Sequence, residues 1–418
     1  MVTVRRLPST ITALDDAAAR TGEGAVVWLQ NRFEAHAEEI LGGVRRRWPI
    51  PRLLRTVVVT RRDDVLAVLT DTTHFALPYA ARLPGRFVLG LTGPALERDR
   101  SELRAVIRPD DLEYLEGLAE SAAERRVAGA RPAGGLDIGG GLVHPVQDEV
   151  VGRYLGVSAP DPATQLRWAR DLFQDVFLNP SGLVSVRRRA RRAGREMSAH
   201  LDRLIADRRA ARDRPDDVLG RMLDRQLVAP GTALSDTEIR SSLIGLALGW
   251  LWHGAKAPLI VVDELFDRPD ALAQARTTAL AGDLDGLRRV LWEVLRFRPV
   301  QAGLFRICVR DTTLAPGTAR ERRVRAGTSV FVGTHSAMWD ETAVPDPEAF
   351  DATRADGQYL IFGDGPHRCF GEQIMRVQLP AMLAPLLRAP GLRRAGGSAG
   401  RLRWKGPSPD GFRVGLAP

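Results

Sequence analysis

Near the C-terminus the chain carries Phe362-Gly363-Asp364-Gly365-Pro366-His367-Arg368-Cys369-Phe370-Gly371, the stretch that most limits what it can become. One cysteine ends a turn holding Gly363, Gly365 and Pro366, and an apolar helical pattern begins just after it. Glycines permit positive φ and close backbone approach, so such a turn can aim successive N–H groups at one anionic atom. A helix starting there adds the positive end of its dipole. Both effects favour a thiolate, the form of cysteine that ligates metals. The competing reading is an inert buried cysteine, the commonest fate of a lone Cys. The flanking glycines and the His367-Arg368 pair weigh against it.

This string resembles the cysteine-ligand loop of the cytochrome P450 superfamily, the haem-thiolate enzymes, whose pattern is Phe-Gly-x-Gly-x-His-x-Cys-x-Gly. Every fixed position of that pattern is present. The resemblance implies a mainly α fold with small β-sheets, one domain over residues 1–418, and haem b (iron protoporphyrin IX) as cofactor. It makes Cys369 the axial iron ligand. Phe362, Gly363 and Gly371 would shape the loop against the cofactor, and His367 would contact a haem propionate.

Composition is compatible with this. The 418 residues are 44% hydrophobic, ample for a large core. Two cysteines, Cys308 and Cys369, make no disulfide framework and fit a reducing cytoplasm. Residues 1–30 contain no apolar run long enough for a signal peptide or a membrane span. The expectation is a soluble cytoplasmic protein of bacterial type that engages neither membrane nor nucleic acid. The net charge of +9 rests almost wholly on arginine, because Lys256 and Lys405 are the only lysines. These arginines are scattered except for the run Arg187–Arg192. Such a run is ordinarily a solvated helix face and only occasionally a docking patch; a basic surface would also attract an acidic redox partner.

Periodicity predicts helices over 24–40, 63–69, 97–107, 165–178, 183–211 and 236–265. The β-branched run Leu54–Thr60 predicts a strand, as do Leu304–Val309 and Ser329–Val332. Residues 70–95 read as loop. Pro380 and Pro385 predict kinks or an early stop in the helix after the cysteine loop. Cys308 reads as a small core residue.

Glu293-Val294-Leu295-Arg296 places opposite charges on one helix face. By resemblance this is the family's buried Glu-x-x-Arg pair, structural rather than catalytic. The second arginine that usually joins it is missing from Asp346-Pro347-Glu348-Ala349-Phe350, with Arg354 available as a substitute. Arg306 and Arg100 match the family's propionate-binding arginines, and arginine forks suit carboxylates. The histidine that usually precedes the second of these is Leu96 here.

The largest departure lies in the helix before Arg268-Pro269. Family monooxygenases carry an acid and a threonine there, which deliver protons during dioxygen activation. Counting back from Pro269 puts Trp252 and His253 at those positions, and no Ser, Thr, Asp or Glu occurs from Leu243 to Val262. Three readings are open: His253 replaces the relay as acid–base group, substrate or water carries the protons while His253 packs, or His253 ligates the iron. Gly249, Gly254 and Pro258 predict a loosened or kinked helix.

By resemblance, Phe87, Val88, Trp250, Trp252, Val300, Ala302 and Leu304 line a largely apolar substrate pocket. The function expected is oxidation of a small organic molecule of natural-product type, with electrons from a ferredoxin and ferredoxin reductase. Coupling or dehydrogenation is as open as hydroxylation. The alternatives are a peroxygenase using hydrogen peroxide with His253 as acid–base, a haem-assisted rearrangement, and a catalytically silent haem protein.

Overall fold

The 3.6-residue apolar period dominates the chain, and a computed structural model, which describes residues 22–179 and 182–418, turns it into a mostly helical body. Its helices are α1 (Gly22–Ala35), α2 (Ala37–Arg47), α3 (Arg62–Thr70), α4 (Gly93–Val106), α5 (Leu112–Ala130), α6 (His144–Val150), α7 (Pro162–Phe177), α8 (Val184–Ala210), α9 (Val218–Val228), α10 (Asp236–Phe266), α11 (Pro269–Leu280), α12 (Leu284–Phe297), α13 (Thr334–Ala337) and α14 (Glu372–Arg388). The expected first helix is divided at His36. The expected 70–95 loop spans residues 71–92, with short 3₁₀ turns and a two-residue strand, because α4 already begins at Gly93.

The main sheet has five strands: β1 (Arg52–Leu53), β2 (Thr56–Val59), β3 (Phe75–Ala76), and, after β4 (Gly135–Asp137), β5 (Leu304–Cys308) and, later, β8 (Ser329–Val332). Their order is β1-β2-β8-β5-β3. The predicted strand Leu54–Thr60 is shorter because Leu54 turns the chain at φ 55° between β1 and β2. β2 pairs parallel to β8 and β5 antiparallel to it, with Arg306 opposite Val330. The small hairpin β6 (Thr312–Leu314) and β7 (Arg322–Val324) completes this side. Cys308 is fully buried beneath the sheet.

α10 is the axis of the helical body. Ser235 caps it, its hydroxyl accepting the Glu238 N–H while Glu238 reaches back to the Ser235 N–H. The helix is long and apolar enough to cross a membrane, but 89% of that window is buried inside the protein, which makes it a core helix.

Pro258 does not break α10. A helical proline leaves the carbonyl four residues back without a donor, here Gly254. The Gln147 amide of α6 supplies one at 2.6 Å. A methyl on Gly254 would come within 2.5 Å of that amide, so only glycine admits it. Gln378 donates to Gln147 (3.0 Å) and accepts from the Trp250 indole (2.6 Å). Gln147 and Gln378 are 1% and 0% exposed, so each lost partner strands a polar group away from water. Gln147→Leu is therefore expected to lower stability by about 2–6 kcal/mol, from two unsatisfied groups at roughly 1–3 each. Urea unfolding checks this, and the Gln378→Leu double mutant should be clearly less than additive.

Pro380 and Pro385 likewise fail to stop their helix: α14 runs unbroken from Glu372 to Arg388. Its segment Gln378–Leu387 is buried throughout, packed mainly on α5 and also on α11 and α12. Burial of that face outweighs the two lost hydrogen bonds.

Below the cysteine loop, Glu293 and Arg296 of α12 are both 0% exposed and meet at 2.7 Å. Arg354 also donates to Glu293, at 3.2 Å, and to the carbonyls of Pro345, Asp346 and Ala349. The Tyr359 hydroxyl and the Asp351 N–H complete the carboxylate's partners. Arg354 thus takes the place of the arginine missing from 346–350.

Candidate active site

The cysteine loop gets its shape from Gly363 and Gly365, at φ 70° and 73°. A Cβ on Gly365 would lie 2.6 Å from the Leu69 carbonyl oxygen, so glycine lets the loop press on the end of α3. The Cys369 N–H donates to the Phe362 carbonyl (3.0 Å), and the Phe362 ring packs on Trp292 of α12. Gly371, the residue before α14, lies beside the sulfur. The Cys369 side chain is exposed rather than packed into the core.

Desolvation by the surrounding protein pushes the Cys369 thiol up, and the Gly371 N–H, Arg100 and Arg368 do not reverse it. The Gly371 N–H pulls towards the thiolate, as expected of this turn, but that desolvation outweighs it. A coordinated metal cation supplies the missing charge and deprotonates such a thiol outright.

Around this loop lie cations without anions. Arg306 of β5 is 3% exposed, and its side chain donates to the Phe305 carbonyl. Arg100 of α4 donates to the Arg368 carbonyl and lies over the Phe370 ring. Among the described residues neither forms an ion pair with a carboxylate. His367 Nε2 is buried with no hydrogen-bond partner. Its pKa is pushed down to about 4, first by burial and then by the Arg306 and Arg100 charges, so the three groups lie together. Burial also lowers Arg306. Two guanidiniums and an imidazole nitrogen that meet no carboxylate among the described residues have the chemistry to hold two carboxylates. That donor set fits the propionates of haem b. Leu96, in place of the usual histidine, is a core residue at 4% exposure.

Gly245, Gly249 and His253 lie four residues apart on one face of α10. Phe87 fills the space at Gly245, whereas a Cβ on Gly249 would meet nothing within 4 Å. His253 sets its edge against Phe173 of α7, and Trp252 stacks on the same ring at 4.5 Å. Phe173 stacks on Phe177, which meets Tyr79 of the 70–95 loop. This aromatic row clamps α7 and the loop onto α10. Burial, then the Lys256 charge, pushes the His253 pKa down to about 4 against the opposing pull of the Gly249 backbone. The imidazole is thus neutral, with a lone pair on one of its two nitrogens.

Sequence reasoning missed Lys256. It is 2% exposed on α10 and pairs with Glu34 of α1 at 2.6 Å. α1 is also tied to the Leu178 carbonyl through Gln30. The available signal was a lysine inside an otherwise apolar helix in a chain with two lysines.

Two expected pocket residues point elsewhere. Trp250 is tied to Gln378 and packs on Tyr154, because its place on the helix faces α6 and α14. Ala302 packs in a separate cluster with Ala37, Leu41 and Val58. Phe87, Val88, Val300 and Trp252 pack in the same cluster as the α10 core, and Leu304 lies against Gly363 of the cysteine loop.

The Cytochrome P450 family model matches residues 272–389. The chain is 30% identical over 359 residues to nocardicin C N-oxygenase of Nocardia uniformis subsp. tsuyamanensis, covering 81% of this chain and 83% of that protein. It is 27% identical to 20-oxo-5-O-mycaminosyltylactone 23-monooxygenase of Streptomyces fradiae, covering 94% and 83%. Among solved structures, CalO2 superposes with a TM-score of 0.79 at 25% identity, over 93% of this chain and 97% of that one. The fold and the site define a haem b-dependent oxidoreductase of monooxygenase type. The chain belongs to the cytochrome P450 family.

Proposed function

We propose that Cys369 is the axial iron ligand and that the protein oxidises a small, largely apolar intermediate of natural-product metabolism. Electrons would come from a ferredoxin and ferredoxin reductase. The observation that carries the haem placement is the trio of Arg306, Arg100 and His367, a donor set for two carboxylates around the loop of the exposed Cys369. Haem bound there supplies dioxygen activation and two-electron oxidation. Arg306 and Arg100 hold its propionates, and His367 Nε2 adds a third donor or acceptor. Phe87, Val88, Val300 and the Trp252–Phe173 stack exclude water and favour an apolar substrate. The substrate class is supported by relatives named for oxidising a nocardicin and a macrolide.

His253 replaces the family's acid–threonine pair in this reading. Its unprotonated nitrogen accepts a hydrogen bond from one O–H of a water and so turns the water's second O–H towards the oxygen site. A neutral imidazole lone pair also suits taking a proton from hydrogen peroxide, which favours a peroxygenase as the second reading.

Arg306→Leu tests the haem placement. A hydrogen-bonded charge is lost, so haem transfer to apomyoglobin should speed up about tenfold or more. An unchanged transfer rate would sink the Arg306 assignment.

A further inference from the structure

The arginine run that the sequence singled out does more than solvate a helix. On α8, small residues recur at Ala190, Gly194 and Ser198, and arginines at Arg187, Arg191 and Arg195. Both rows follow the four-residue spacing of one helix face. The small row is the floor of a groove of about 720 Å³, and the arginines stand along its edge. The segment Arg82–Gly85 forms the opposite wall, with Pro84 against Gly194, and Arg240 of α10 also lines it.

Five guanidiniums thus face two carboxylates, an excess of positive charge even with both acids ionised. Asp202 pairs with Arg240 at 2.8 Å. Asp175 accepts from the Asn179 amide at 2.7 Å. Arg82 donates to the carbonyls of Asp175 and Asn179, which leaves its charge uncompensated. Among the described residues, no carboxylate pairs with Arg187, Arg191 or Arg195. The same helix pairs Arg192 with Glu196, Arg208 with Asp217 and Arg209 with Asp236. Like charges at four-residue spacing destabilise a helix, so an unpaired row beside a cavity points to an external anion.

We propose that this groove binds the multiply charged anionic group of a small molecule, of phosphate or pyrophosphate type. Guanidinium forks match phosphate oxygens in pairs. The concave shape and volume suit a small ligand better than a protein face. The groove also backs onto the pocket. Leu172 and Asp175 of α7 line it, while Phe173 between them turns its ring to Trp252 and His253. The anion is therefore either the polar end of the substrate or a separate effector bound one helix away.

Calorimetric titration of the haem-loaded full chain with inorganic pyrophosphate, at constant ionic strength, tests this. One saturable site is expected. The Arg191→Gln/Arg195→Gln double variant should weaken it by about a hundredfold, roughly tenfold for each charged contact, with haem content unchanged. Titration with dodecyl phosphate separates the sources. A haem Soret shift that pyrophosphate alone does not give identifies the substrate's own anionic end, and binding without that shift identifies an effector. No saturable binding, equal affinity in the variant, or binding of an acidic ferredoxin but not pyrophosphate would each overturn the proposal.

Discussion

Glu293→Ala is expected to remove about 3–5 kcal/mol of stability, the cost of breaking a buried pair by deleting one partner. Here the loss falls on two guanidiniums at once. Arg296 and Arg354, at 0% and 9% exposure, would both stay buried with carbonyls but no counter-charge. Tyr359 would lose its acceptor as well. Domains of this kind hold only about 5–15 kcal/mol in total, so much of the variant should unfold or lose haem on expression. Urea unfolding of purified protein measures the shift. Glu293→Gln keeps the shape and separates charge from packing. A midpoint unchanged in both variants would refute a structural role for the network.

His253→Ala is expected to cut oxidation by about 10²-fold, at the low end for loss of a positioned acid–base group. Haem content and the Soret position should not change, because the proposed role involves no iron bond. Loss of a nitrogen-ligated low-spin spectrum in the variant would contradict that role and support ligation. The pH dependence follows from the direction of the shift. With a pKa of about 4 the ring is neutral throughout the range 5.5–8, so its own titration should leave the rate flat there. Stability behaves differently. The unfolded chain takes up a proton near pH 6.5 and the folded one only near 4. Folding is therefore progressively disfavoured as pH falls through that window. The alanine variant should show a shallower loss, readable from unfolding midpoints at pH 7 and pH 5.

Residues close together in sequence made the fold and the cysteine loop legible. The loop pattern, the Glu293–Arg296 pair and helices α7, α8 and α10 were each visible in local spacing. Features built by distant partners were not. Pro258 reads locally as a kink, and the donor that repairs its carbonyl comes from Gln147, 107 residues away. Arg354 becomes the third member of its network only when residues 345–359 fold back onto α12. Glu34 reaches Lys256 across 222 residues. Pro380 and Pro385 do not bring the early stop that local propensity allows, because the helix is buried along most of its length. Trp250 was assigned to the pocket by position in sequence, and its indole faces the Gln378 side of the helix instead.

The central claim is that Cys369 holds the iron as a thiolate, inside a loop that by itself favours the thiol. The most direct test is the carbon monoxide difference spectrum of the reduced, haem-loaded protein, recorded beside that of Cys369→Ser. The wild-type chain should give the red-shifted Soret band of a thiolate-ligated haem, and the serine variant should lose it while Arg306, Arg100 and His367 still retain some haem. A wild-type spectrum without that shift, or a serine variant that keeps it, would contradict the assignment.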